Sequence, residues 1–324
     1  MTDVLRLLAG VLLNLALRLS RRRVGVAILY HRIDLRQGDP SCEIVPPLER
    51  SKFRRQLRHL RRLYKVVPAD EFRAAVAARR RGERFPVCLT FDDDLGGHLE
   101  HAMPELRGQG VPAMFFLCGA GSSSPWWDRL QRAFDRGCRA ADVVELLPAG
   151  SGARGRPLGD IHDVADVIHE LEPDQREQLA ERLLGLAGPD PEGAGLPREG
   201  IVALADAGFG IGFHTLRHHR LPELDDTQLA RAMNEGRAAL EHTIGRPIDA
   251  IAYPHGHADP RVATAARQAG FRHGFTSFPY GTTPATPPLL LGRLEPTRLS
   301  VGGFGYWVAR TLLDRGPQWT GIGQ

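Results

Sequence analysis

Residues 86–97, PVCLTFDDDLGG, join an apolar, β-prone run to three adjacent carboxylates, Asp92, Asp93 and Asp94, and then to two glycines. The apolar part, Phe85 to Phe91 with Pro86 near its start, reads as a buried strand that ends where the acids begin. Carboxylates side by side repel one another, so a cluster of this kind calls for a cation. The pattern continues on both sides. Strands are predicted at Val24–Tyr30, Lys65–Val67, Ala113–Leu117, Ile211–His214, Ile248–Tyr253, His273–Ser277 and Leu289–Leu294. Helical periodicity appears at Ser51–Tyr64, His98–Gln109, Arg198–Ala207, Thr227–Ile244 and Pro260–Ala269, with Ser51 and Asp70 as candidate N-caps. Repeated strand–helix units build a parallel sheet covered by helices, and about seven of them in this length predict an α/β fold of the distorted (β/α)7-barrel type.

Trp126 to about Leu196 carries only helical stretches separated by Gly and Pro, and reads as a helical insertion in a barrel loop. The expected organisation is an N-terminal helix in 1–23, a barrel in 24–310 with an insertion at 126–196, and a tail in 311–324. Val4–Leu19, VLRLLAGVLLNLALRL, is apolar but interrupted by Arg6, Asn14 and Arg18, and is too short to span a bilayer comfortably. Two placements fit residues 4–23. The helix lies on the inner membrane surface with Arg18 and Arg21–Arg23 at anionic headgroups, or it packs on the protein's own barrel or a partner.

Composition narrows the function classes. The 324 residues are 42% hydrophobic and 25% charged, an ordinary globular balance, and the net charge of +4 is carried by arginine, since only Lys52 and Lys65 are lysines. Basic runs at Arg21–Arg23 and Arg79–Arg81 lack the interleaved aromatics or known motif of a nucleic-acid binder, so no nucleic-acid partner is expected. Cys42, Cys88, Cys118 and Cys138 form no CxxC pair, which argues against a disulfide framework and for a cytoplasmic setting, with the inner membrane face as the alternative station.

In barrels of this type the chemistry collects at the carboxyl ends of the strands. Asp92, Asp93, His214 and His255 all fall there. In GIGFHTLRHHRL, Gly210–Leu221, His214 closes a strand and His218 follows four residues later. Two imidazoles and a carboxylate form a common shell for a divalent metal, Zn2+ first, with Co2+, Ni2+ and Mn2+ as alternatives.

TFDDD (Thr90–Asp94) followed by HTLRH (His214–His218) resembles the first two motifs of the polysaccharide deacetylases, the NodB-homology or carbohydrate esterase family 4 proteins. YHR at Tyr30–Arg32, PAMFFL at Pro112–Leu117, PWWDRL at Pro125–Leu130 and AYPHG at Ala252–Gly256 are similar to the branch associated with exopolysaccharide synthesis. The resemblance implies Asp92 as general base and Asp93, His214 and His218 as metal ligands. It gives Asp94 no role, and a helix cap after Gly97 is expected of it instead. His31 either lines the cleft or is a core histidine. Trp126 and Trp127 either stack on sugar rings or belong to the core.

Several family positions depart: Asp94 stands where a Gly is usual, and the late Asp-Trp element has no counterpart after Ser277. The base-orienting Arg of the third motif is replaced by Ala252, though the main-chain N–H of His255 keeps the oxyanion-donor position. The late general-acid His is met only by Leu291-Gly292-Arg293, and an arginine cannot give up a proton. His255 or His257 is therefore expected as the substitute acid. The resemblance implies a hydrolase that removes N-acetyl groups from the amino sugars of an acetylated glycan, either a polysaccharide or a lipid-linked precursor. Its rivals are a catalytically impaired glycan-binding or assembly protein and a hydrolase of small amides.

Overall fold

The computed structural model describes residues 2–119, 121, 123–152, 156–314 and 316. Among them are ten strands: β1 Val26–Tyr30, β2 Ile33–Asp34, β3 Leu48–Glu49, β4 Lys65–Val66, β5 Pro86–Asp92, β6 Met114–Leu117, β7 Gly210–Phe213, β8 Ala250–Ala252, β9 His273–Phe275 and β10 Arg293–Leu294. β2 and β3 form a small pair apart from the main sheet. The rest make one parallel sheet in the order β10-β1-β5-β6-β7-β8-β9, with β4 also on β5. Leu291 bridges Phe275 on the far edge, and two residues on Arg293 and Leu294 pair with Ala27 and Ile28 of β1. The 291–294 segment therefore nearly closes the sheet into the expected seven-stranded barrel.

Strands β1 (VAILY) and β5 (PVCLTFD) are buried throughout, because a barrel strand has side chains in the lumen on one face and helices on the other. Period-two alternation sorts the two layers. Ala27, Cys88, Met114, Phe116, Ala250, Ala252, Phe275 and Leu291 form one buried cluster, the lumen. Their chain neighbours Ile28, Leu89, Phe115 and Ile251 join the larger layer under the helices. Asp92 lies two residues beyond Thr90 and four beyond Cys88, which puts it on the lumen face at the barrel's mouth.

The 126–196 insertion is helical as expected, with Trp126–Asp135, Ala140–Val144, Ile161–His169 and Pro173–Ala187. It has its own core of Leu130, Val143, Ile161, Val164, Ile168, Leu179 and Leu183. Its return passes close to the acid cluster. Leu95 bridges Gly195, and a Cβ on Gly96 would sit 1.6 Å from the Gly193 carbonyl oxygen, so only glycine fits there.

Several local expectations are corrected. Helix Arg50–Leu63 has Glu49, not Ser51, at its N-cap position, without a side-chain cap; the Ser51 hydroxyl donates to the Glu49 carboxylate. Asp70 accepts from the Glu71 N–H, while Glu71 is the cap residue of Phe72–Ala78. The single helix Thr227–Ile244 is two, Asp226–Asn234 and Arg237–Ile244, broken at Gly236, whose φ of 81° is left-handed. A final helix, Val301–Thr311, had no counterpart in the sequence reading and packs along the N-terminal helix Asp3–Arg18. Of the expected 311–324 tail, 315 and 317–324 lie outside the described residues.

Candidate metal and catalytic site

Four non-glycine residues among those described have positive φ: Asp93 (73°), Thr215 (55°), His218 (49°) and His255 (57°). All lie in the loops after β5, β7 and β8, at one end of the barrel. Such backbone costs of order 1–3 kcal/mol each and persists where the surroundings enforce it, commonly at functional sites.

The turn after β5 aims Asp93 at the two histidines. Its Oδ1 lies 3.6 Å from His214 Nε2 and 3.7 Å from His218 Nε2. The three ligand atoms lie within 4.8 Å of one another. Ligands sharing one ion at about 2.1 Å stand roughly 3–3.5 Å apart, so the group fits a divalent cation with slight contraction. The protein also fixes the tautomer of His214. Its Nδ1 is 2.8 Å from the Ala252 carbonyl oxygen and donates to it, which leaves the Nε2 lone pair facing Asp93.

Asp92 is held differently. Arg293, wholly buried on β10, forms a bidentate pair with it, Nη1 to Oδ1 and Nη2 to Oδ2, both 2.7 Å. The same guanidinium donates to the Thr90 hydroxyl (3.2 Å) and the Thr276 carbonyl (2.9 Å), so its position is locked. Burial pushes the Asp92 carboxyl up, but Arg293 and then His214 more than offset this and hold it below the usual carboxylate range. An arginine thus meets Asp92 from another strand, whereas the resemblance would place one at position 252. Chain order hid it, because β10 is last in sequence but neighbours β1, which neighbours β5.

His98 is a second support absent from the sequence reading. Buried against Phe91 and Phe115, it places Nε2 3.1 Å from the Asp92 carbonyl and 3.0 Å from the Asp93 carbonyl, bracing the turn. Burial pushes its imidazole down to about 4, so it is a neutral donor. Asp94 does not cap the following helix, which begins at Gly97 without a side-chain cap; its Oδ1 accepts from the Cys118 N–H at 2.9 Å.

Two cavities meet at this cluster. One, of about 320 Å3, is lined by His31, Asp92, His214, His255, Arg293 and Glu295 among others. The other, of about 950 Å3, runs under the insertion along Trp126, Arg176, Glu177, Glu181 and Arg217. Asp93, Trp127 and His218 line both. The insertion reaches the loop that carries His214 and His218. Arg176 donates to the carbonyls of Arg217 (3.3 Å) and His218 (3.4 Å), and Arg217 pairs with Asp174 and Glu177.

Three histidines were open as acids or lining groups. The His255 ring lies 4.6 Å from the His218 ring and 4.8 Å from that of His169, and burial, followed by the cationic groups around it, pushes it down to about 3. Its main-chain N–H takes no part in the hydrogen bonds of its turn, which run from Gly256 to Tyr253 and from His257 to Pro254. His257 stacks on Phe278, 6.1 Å between centroids. His31 lines the smaller cavity with Nδ1 3.7 Å from Glu295 Oε1. Burial opposes its protonation, yet Glu295, then Asp93 and Asp92, overcome that and raise it to about 9.

Residues 190–274 match the model of the polysaccharide deacetylase family. Three solved structures share the fold. The Streptococcus pyogenes deacetylase PplD in complex with acetate is 16% identical, with a TM-score of 0.58 over 91% of this chain and 99% of that one. IcaB from Ammonifex degensii is 20% identical, TM-score 0.55, over 88% and 97%. A de-N-acetylase from Aggregatibacter actinomycetemcomitans is 14% identical, TM-score 0.55, over 88% and 99%. No curated protein sequence matches the chain. The matched residues include HTLRH but not TFDDD, and the shared fold agrees with the expected barrel.

Proposed function

We propose that this chain is a metal-dependent hydrolase that removes N-acetyl groups from amino sugars in a polysaccharide or a lipid-linked glycan precursor. The observation that carries the reading is the bidentate Arg293–Asp92 pair beside Asp93, His214 and His218. Asp93, His214 and His218 would hold a divalent cation, Zn2+ by the chemistry of the donors, which would supply Lewis acidity toward a water and an acetyl carbonyl.

The remaining roles belong to the chain's own groups. Asp92, kept ionised by Arg293, takes a proton from the attacking water. The His255 N–H faces the developing oxyanion as a main-chain donor. His31, held protonated by Glu295, gives its proton to the leaving amine at Nδ1 or Nε2. It is preferred to His255, which burial keeps neutral, and to His257, which stacks on Phe278. The missing arginine and the missing late histidine motivate a non-catalytic role; the Arg293–Asp92 pair and His31 in the cavity favour the hydrolase over it. The larger cavity beneath Trp126 and Trp127 suits neighbouring sugar units better than a lone small amide.

Acetate release from N-acetylglucosamine oligomers, beside a panel of small N-acetyl amides, tests the assignment. Release from oligomers alone supports it. Release only from the small amides, or none with any divalent metal, rejects it.

A further inference from the structure

The helix Asp3–Arg18 buries one side and leaves the other bare. Gly10 lets it lie directly on the last helix, since a Cβ there would meet the Gly305 carbonyl oxygen at 2.6 Å, and Asn14 is fully buried nearby. On the opposite side Val4, Leu5, Leu8, Leu12, Leu15 and Leu19 are 44–66% exposed. They are six of the ten large apolar side chains exposed among the described residues, so the apolar surface is concentrated on this one helix. A contiguous exposed patch of that kind marks an interaction site.

A second feature appears only in three dimensions. Arg79 is buried and donates to the carbonyls of Arg18 (3.1 Å), Ser20 (3.3 Å), Arg22 and Glu83 (3.0 Å), and the Gly82 N–H donates to Arg18 at 2.8 Å. Arg84 reaches back to the Arg61 carbonyl at 3.1 Å. These bonds draw two basic runs, far apart in sequence, to the carboxyl end of the leucine stripe. Arg21, Arg23, Arg80, Arg81 and Arg84 are exposed there, and the neighbouring acid, Glu83, accepts from the Arg80 N–H at 2.8 Å.

We infer that this face is a docking surface for an anionic lipid bilayer, with the helix lying in the interface and the arginines at the headgroups. No helix among the described residues is long and apolar enough to cross a membrane, so the helix lies flat. Charge selects the occupant. A second copy of the chain brings the same basic cluster, whereas an anionic bilayer offers apolar depth beside negative charge. The inference does not depend on the deacetylase reading, because its test measures binding and not turnover.

The test is co-sedimentation of the full chain with phosphatidylcholine vesicles prepared with and without phosphatidylglycerol. The wild type binds the anionic vesicles and binds the neutral ones far more weakly. Replacing Arg21, Arg23, Arg80 and Arg81 by Ser lowers affinity for anionic vesicles by about a hundredfold or more. Leu8→Gln, Leu12→Gln and Leu15→Gln together abolish binding to both vesicle types, while the melting temperature stays near that of the wild type because the sites are exposed. Failure of the wild type to bind anionic vesicles overturns the inference, as does undiminished binding by the four-arginine variant. A wild-type dimer in light scattering that the leucine variant converts to monomer, without vesicle binding by either, assigns the stripe to self-association instead.

Discussion

Replacing Arg293 by Met keeps an unbranched apolar stem but removes the guanidinium that faces Asp92. Both partners are buried, at 0% and 3% side-chain exposure, and the substitution removes two 2.7 Å hydrogen bonds. Breaking one side of a buried ion pair costs about 3–5 kcal/mol, chiefly because the remaining charge is left without a partner. Asp92 can avoid that cost by taking up a proton. Burial then acts without the Arg293 charge to oppose it, so the carboxyl moves upward, and each unit of that movement is about 1.4 kcal/mol between the two protonation states. A depressed carboxyl stabilises the fold above its unfolded value near 3.8, and loses that stabilisation as pH falls through its folded value. Arg293→Met removes this protection, so loss of the fold on acidification begins at higher pH. In catalysis a protonated Asp92 is no base. The account predicts kcat/KM for acetate release lowered by about a hundredfold or more near neutrality, with the acid limb of the pH–rate profile displaced upward by at least about one unit. Arg293→Lys, which keeps a charge without the fork, falls between the two. The assay is kcat/KM between pH 5 and 9 with a melting curve at each pH. A variant that melts lower but keeps the wild-type acid limb would refute the assignment of Arg293 as the group that sets the state of Asp92.

Glu295→Gln removes the partner that raises His31 to about 9. A general acid works below its own pKa, so the alkaline limb, which a bound cation places at or below about pH 9, moves to lower pH by at least about one unit while activity near pH 6 persists; an unmoved limb excludes His31 as the acid. Arg176→Gln frees the Arg217 and His218 carbonyls and loosens a loop held at positive φ, so affinity for Zn2+, read by competition with a chromogenic chelator, falls by about ten- to a hundredfold. Gly10→Ala pushes a Cβ into the Gly305 backbone and costs about 1–3 kcal/mol in a denaturant melt, with acetate release per folded molecule unchanged.

The barrel could be read from the chain because its strands are continuous apolar runs closed by Gly, Pro and acids, and β1 and β5 appear where VAILY and PVCLTFD stand. Such runs do not reveal which face is the lumen. Only the Cys88-Thr90-Asp92 alternation carried that signal. The last helix was missed because VGGFGYWVART looks like a loop; Gly302 and Gly305 lie where the N-terminal helix and His59 come within contact distance, a tertiary reason that overrides low helix propensity. The three candidate ligands, Asp93, His214 and His218, were legible as motif and spacing, and the fold brings them together. Arg293 was not, since its partner is 201 residues away and the pairing exists only once β10 lies beside β1. His98 left no signal either, because its role is to brace main-chain carbonyls that any sequence has.

Zinc titration of the metal-stripped protein, followed by calorimetry with acetate release measured in parallel, bears most directly on the central claim that Asp93, His214 and His218 share one cation. The account predicts one ion bound per chain and activity restored in step with it. It predicts binding lost in Asp93→Asn and in His214→Ala, and binding kept without turnover in Asp92→Asn. Unchanged metal uptake by both ligand variants, or full acetate release from stripped protein, would contradict it.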